Sequence, residues 1–213
     1  YICAKEGKTA VSVSAMDKRA VDLLYSEIFK LLKDKVEKFK SKGIFKPIRI
    51  MVAGIPNTGK STIVNLLSGQ KKAKTGDKAG VTRDVRWLKC GEFDLLDTPG
   101  TMPPSFENQY LARHLAYIGS INDDILDMDD VALELLGELA EKYPACLTER
   151  YGITDFSEKL GMYEALCKRR GFILRGGEFD YERGAKAIID DFRKGRIGKI
   201  CLENPADYPD FEL

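Results

Sequence analysis

The chemistry of this 213-residue chain gathers at Gly54-Ile-Pro-Asn-Thr-Gly-Lys60-Ser61, which fits the phosphate-binding pattern G-x-x-x-x-G-K-[ST]. Glycines at 54 and 59 let the backbone curl so that successive N–H groups point inward at phosphate oxygens. A helix opening at the end of the motif adds its positive N-terminal end. Lys60 can bridge β- and γ-phosphates, and the Ser61 hydroxyl can ligate Mg²⁺. Asn57, Thr58, Gly59 and Thr62 complete the expected nucleotide-binding set. The flanks support the motif. Ile48-Arg-Ile-Met-Val-Ala53 reads as a buried strand, and Thr62-Ile-Val-Asn-Leu-Leu67 as the first turns of a helix.

A second signal completes the site. Phe93-Asp-Leu-Leu-Asp97-Thr-Pro-Gly100 is an apolar strand closed by an acid and a Pro-Gly breaker. Asp97 at that strand end can hold Mg²⁺ through water. Gly100 can offer its N–H to a γ-phosphate, because no side chain stands between them. The polar loop Lys74–Arg83 lies between the two motifs and carries Thr82. Its hydroxyl is the candidate to complete the Mg²⁺ shell when a γ-phosphate is present.

These three elements resemble the phosphate- and magnesium-binding half of a small GTPase domain. The P-N-x-G-K-S form with D-T-P-G is similar to that of translation-factor-like GTPases. P-loop ATPases are the competing class. GTPases of this kind read guanine with N-K-x-D, and neither that motif nor T-K-x-D occurs in the chain, which taken alone argues against GTP. The order of the chain points the other way. Lys8-Thr-Ala-Val-Ser-Val-Ser-Ala15 reads as an alternating strand ending in Ser14-Ala15. It resembles the S-A element that supports the guanine base, placed here upstream of the P-loop. That order resembles the circularly permuted GTPases, in which N-K-x-D lies about one helix before this point. Because the sequence opens at Tyr1 rather than Met, a preceding segment carrying that motif is expected.

The match extends through Lys72–Thr82, Leu95–Gly100, Asp129–Ala132, Glu149–Gly152, Arg175–Tyr181 and Asp191–Gly198. These run in the same order as in the ribosome biogenesis GTPase A (YlqF-type) family. The resemblance implies an α/β P-loop GTPase domain over residues 1–118, circularly permuted, with a mostly parallel sheet and helices on both faces. A small all-helical domain over 119–213 follows. It also implies GTP and GDP as ligands with Mg²⁺ held by Ser61, Thr82 and, through water, Asp97. Lys60 and Thr82 are the expected catalytic residues, and Ser14 and Ala15 the expected base-side contacts. In related GTPases with the P-loop asparagine, a K⁺ ion sits where an arginine finger would act, which makes Asn57 the candidate K⁺ residue. The implied partners are the large ribosomal subunit precursor and its rRNA, in the cytoplasm, with no DNA expected. The alternatives are a P-loop ATPase that ends in a helical module, or a non-catalytic RNA-binding module in which the nucleotide is structural.

Composition agrees with this reading. Hydrophobic residues make up 44% and charged residues 31%, enough for a packed core with a solvated surface. No stretch approaches the roughly 20 apolar residues of a membrane span. Five cysteines without a C-x-x-C pair fit reduced thiols better than zinc or a disulfide framework. The net charge of +1 hides an asymmetry. Residues 1–101 carry 20 Lys and Arg against 11 Asp and Glu, a balance of +9, and the remainder carries 14 against 22, a balance of −8. Basic clusters at Lys30–Lys46, Lys71–Lys78, Lys168–Arg170 and Arg193–Lys199 are candidate tracks for RNA phosphates or simply solvated faces. The acidic stretch Asp123–Asp130 is expected to face solvent and cap a helix.

Helical periodicity follows Ala15, with Val21, Leu24, Ile28, Leu31, Leu32, Val36 and Phe39 on one face. Asp84–Cys90 and Glu92–Asp97 read as a hairpin about Gly91, and Pro99–Pro104 as the second switch. Further helices are expected over Val131–Tyr143, ended by Pro144, over Phe156–Arg170, and over Tyr181–Lys194 with Asp180 as N-cap. Where many GTPases place a water-orienting glutamine after D-x-x-G, this chain has Thr101, so water positioning must come from elsewhere. His114, the single histidine, is expected to be a helix residue remote from the γ-phosphate. Trp87 is expected to serve packing rather than base stacking.

Overall fold

Three strands build a small sheet in the first of two compact units, Tyr1–Met102 and Pro103–Leu213. The computed structural model describes residues 7–17, 19–44, 46–69, 84–90, 93–102, 105–106 and 108–204. Strand β1 (Ile48–Val52) lies parallel to β3 (Phe93–Asp97), which pairs antiparallel with β2 (Arg86–Cys90), in the order β1-β3-β2. The expected hairpin is therefore present. The sheet is mixed rather than mostly parallel, since one of its two ladders is antiparallel.

Helices cover one face of this sheet among the described residues, where both faces were expected to be covered. Helix α1 (Ala20–Ser41) brings Leu24, Tyr25, Ile28 and Phe29, and helix α2 (Lys60–Ser68) brings Val64 and Leu67. Both pack on Phe93 and Leu95 of β3 and on Ile48, Ile50 and Val52 of β1. Alternation along a strand sends the neighbouring residues to the other side. Met51 and Trp87 lie on that side, 65% and 53% exposed, with the Arg49 guanidinium 5.3 Å from the Trp87 ring. The Tyr25 hydroxyl donates to the Leu67 carbonyl at 2.9 Å and ties α1 to α2.

Residues Lys8–Ala15 do not form the expected strand. They run without regular structure into a turn at Ala15 and Met16, and the sheet holds no ladder for them among the described residues. The alternation of Val11 and Val13 with polar neighbours is a side-chain pattern. A strand also needs a partner for its backbone groups.

The second unit is helical among its described residues, apart from one isolated bridge between Ile173 and Phe179. Its helices are α3 (Gln109–Tyr117), α4 (Met128–Lys142), α5 (Pro144–Tyr151), α6 (Lys159–Arg170) and α7 (Tyr181–Arg193). Leu135, Leu136, Leu139, Leu147, Leu166 and Ile188 are fully buried at its centre. Helix α3 falls in this unit, although the expected boundary at 118 assigned it to the nucleotide domain. Its attachments explain why. Tyr110 and His114 bond to Glu138 on α4, and Arg193 of α7 donates to the carbonyls of Ala116 and Tyr117. The Asp127 side chain accepts from the amides of Asp129 and Asp130 and starts α4 at Met128, before the expected Val131. Pro144 opens α5 at its first turn, where a missing N–H costs nothing. No helix among the described residues is long and apolar enough to cross a membrane. Cys90, Cys146, Cys167 and Cys201 are free thiols.

Candidate nucleotide-binding site

Strand β1 delivers the chain to a loop whose backbone conformations few residues tolerate. Gly54 has φ +153° and Gly59 φ +82°. Asn57, between them, has φ +58°, the single non-glycine residue with positive φ among those described. Asparagine visits this left-handed region more readily than most side chains. The loop is braced internally. The Thr58 hydroxyl donates to the Ile55 carbonyl at 2.8 Å, and the Lys60 ammonium donates to the same oxygen at 2.6 Å. Helix α2 starts at Lys60 with Gly59 as N-cap, no side chain capping its amides and no acid in its first turn. Its amides and its positive end therefore face a ligand with no competing carboxylate on the helix. Ser61 and Thr62 sit in this first turn.

The second motif reaches the loop through the sheet. Register pairs Val52 of β1 with Asp97 of β3, so both strands end at the same level. The Thr98 hydroxyl donates to the Val52 carbonyl at 2.7 Å, and the Thr101 amide donates to the Gly54 carbonyl at 3.1 Å. A methyl group at Gly100 would sit 2.6 Å from both N and Cα of Pro56. Only glycine allows this approach between the D-T-P-G turn and the P-loop.

Asp97 is buried, 4% exposed, and its Oδ1 has no hydrogen-bond partner among the described residues. Burial pushes its carboxyl above the ordinary value of 3.8, against the attraction of Lys60 and of Arg86, which faces it across the antiparallel ladder. Burial also lowers the Lys60 ammonium below its ordinary value, against the attraction of Asp97. A buried carboxylate oxygen lacking a donor is the kind of group that a hydrated cation satisfies. The donor set of hydroxyl and carboxylate oxygens suits Mg²⁺ rather than a softer metal.

Thus Asn57, Thr58, Gly59, Lys60, Ser61 and Thr62 form one continuous cradle, and Asp97 and Gly100 are brought to it. Ser14 and Ala15 are not joined to it by any hydrogen bond described. The Ser14 carbonyl accepts from Asp17 and its hydroxyl from Met16, both within a local turn. Thr82 and the cluster Lys71–Lys78 lie outside the described residues. Sequence reading passed over Thr98, the Thr101 amide and Pro56, which lock the two motifs together. The hairpin register was the available signal for Arg86, since pairing Cys90 with Phe93 sets Arg86 opposite Asp97.

Comparison with known proteins agrees with this geometry. The 50S ribosome-binding GTPase family matches residues 49–149. Ribosome biogenesis GTPase A of Priestia megaterium is 38% identical over 207 residues, which cover 95% of this chain and 72% of that protein. The protein of the same name from Thermotoga maritima is 30% identical over 161 residues, covering 75% of this chain and 57% of that protein. A solved GDP-bound structure of TM YlqF superposes with a TM-score of 0.59 at 25% identity, covering 96% of this chain and 74% of that one. With a cradle built for phosphate and relatives that align over nearly its whole length, the chain belongs to the ribosome biogenesis GTPase A family.

Proposed function

We propose that this GTPase of large-subunit assembly works as a two-state switch that docks on a ribosomal precursor through rRNA with GTP bound and leaves after hydrolysis. One observation carries the reading: the orphaned Asp97 oxygen beside a P-loop that touches Gly100 backbone to backbone. Lys60 and the first amides of α2 hold the β- and γ-phosphates, and Ser61 and Asp97 are the residues that would hold Mg²⁺. Mg²⁺, when bound, neutralises charge on those phosphates. Thr82 and Gly100 sense the terminal phosphate, and loss of those contacts frees both segments. Thr101 stands where a water-orienting glutamine would be, so intrinsic hydrolysis is slow and the ribosomal precursor accelerates it. Asn57 is the residue that would hold a K⁺ ion, and such an ion would supply positive charge to the transition state. With a ribosomal precursor as its partner, the protein would work in the cytoplasm.

The deciding experiment is sedimentation of the full-length protein with isolated large subunits. A non-hydrolysable GTP analogue should strengthen retention by about 10-fold over GDP, the size of an ordinary coupling between two sites. Equal retention in both nucleotides would remove the switch. For the cation, GTP turnover at equal ionic strength should be faster in KCl than in NaCl, and identical rates would exclude a K⁺ role for Asn57.

A further inference from the structure

The second half of α1 carries charge that the fold does not use. Residues 30–46 hold seven lysines against two acids, Asp34 and Glu37. Lys30 is 3.5 Å from Glu27. Lys33, Lys35, Lys38, Lys40, Lys42 and Lys46 are exposed and make no ion pair among the described residues. The basic clusters of the second unit are largely paired, with Lys168, Arg169 and Lys199 left exposed without an ion pair among the described residues. Arg170 pairs with Asp191, Arg193 with Asp123 at 2.7 Å, Lys194 with Asp190 at 2.6 Å and Arg196 with Asp190 at 3.0 Å.

The unpaired lysines border an open groove of about 870 Å³ in the first unit, between α1 and the start of β1. Its rim carries Lys35, Lys40, Lys46, Arg49 and Lys89, and its apolar lining includes Phe29, Leu32, Val36 and Phe39 of α1 and residues of the following segment into β1. One carboxylate reaches it, Asp94, which lies opposite Lys89 across the β2–β3 ladder. Neither Asp34 nor Glu37 contributes to the lining.

We infer that this groove is a single-stranded RNA site, in which rim cations hold phosphates and the apolar wall receives an unstacked base. It deepens the ribosomal reading above and rests on it for the source of the RNA. Charge and shape both favour RNA over an acidic peptide. The cations continue along α1 from Lys30 to Lys42, about 18 Å at the rise of a helix, farther than one anionic side chain would need. Positive grooves that also present aromatic side chains are the usual platform for unpaired nucleotides, and Phe29 and Phe39 line this one.

The test uses the full-length protein and a fluorescent twelve-nucleotide uridylate RNA, titrated by anisotropy at several salt concentrations. The triple variant Lys35→Glu, Lys40→Glu, Lys46→Glu reverses the rim. Lys168→Glu, Arg169→Glu, Lys199→Glu makes the same charge change at exposed positions of the second unit. GTP binding, retained in both, reports folding. The rim variant should bind RNA about 10-fold more weakly or worse, with the log–log salt slope reduced by about 2, as expected for three lost single-strand contacts. The control should stay within about 2-fold of the parent. Unchanged affinity in the rim variant, or an equal loss in the control, would overturn the site. So would a poly-glutamate peptide that binds the parent as well as RNA does. Large-subunit sedimentation separates the two proposals. If the parent fails to sediment with subunits but loses RNA on rim reversal, the ribosomal reading falls and the groove stands. If it sediments normally and the rim variant keeps its RNA, the groove falls and the ribosomal reading stands.

Discussion

Each unit buries one aspartate among the described residues, and the two are treated in opposite ways. Asp97 is 4% exposed and Asp191 is 3% exposed. Asp191 accepts from Arg150 at 2.9 to 3.0 Å, from Tyr151 at 3.0 Å, from Arg196 at 3.2 Å and from Arg170. Burial alone would raise its carboxyl, but these donors outweigh burial and hold it below the ordinary 3.8. Asp97 has no donor on Oδ1 among the described residues, and burial wins, so its carboxyl is raised. Equal burial thus gives opposite electrostatics. The helical unit surrounds its buried carboxylate with donors from its own fold, and His114 likewise lies within hydrogen-bond distance of Glu138 at 2.9 Å and Glu203 at 2.7 Å. The sheet unit leaves a carboxylate oxygen and a row of lysines without partners among the described residues.

The contrast breaks most visibly at Asp191. Replacing it with Ala leaves three guanidinium groups around a buried gap and should cost about 3–5 kcal/mol in urea unfolding. A loss below about 1 kcal/mol would mean that the hub does not organise the unit. Because the folded value of Asp191 is depressed, its contribution is complete above 3.8 and disappears as pH falls through the lowered value. Gly100→Ala comes next. The added methyl must displace Pro56 or the turn, at about 1–3 kcal/mol. It should also reduce the preference for GTP over GDP, measured by competition; an unaltered preference would dissociate this contact from phosphate sensing. Asp97→Asn has the smallest effect and the most telling sign. It should stabilise the Mg²⁺-free protein by about 1 kcal/mol at pH 7 while weakening Mg²⁺-dependent GTP binding. Since the folded value of Asp97 is raised, the penalty for its ionisation accrues as pH climbs past 3.8 through that raised value. The advantage of the Asn variant should therefore vanish in acid, and an advantage that persists there would refute a charge-based cause.

The features that could be read ahead of the structure are those set by local rules. The P-loop, the D-T-P-G turn, the β2–β3 hairpin and the Asp180 cap of α7, where its carboxylate accepts from the Arg183 amide at 3.1 Å, all follow from residues close in sequence. What escaped depends on partners far along the chain. The basic run at Arg193–Lys199 reads as either an RNA track or a solvated face, yet Arg193 and Arg196 are taken up by Asp123, Asp190 and Asp191. Assignment of α3 to a unit turned on Glu138 and Arg193, 24 and 76 residues from their partners His114 and Tyr117. Pro144 reads from the sequence as the stop of one helix, yet it also opens another, Pro144–Tyr151, which the sequence reading did not expect.

Trp87 has a practical consequence for all these measurements. It is the chain's single tryptophan, and it stands half-exposed, paired in register with Leu96, the residue before Asp97. Intrinsic fluorescence excited at the indole band therefore comes from one location, opposite the residue that precedes the buried Asp97 carboxylate. Nucleotide exchange, or any partner that settles over that surface, can be followed by emission colour without attaching a dye.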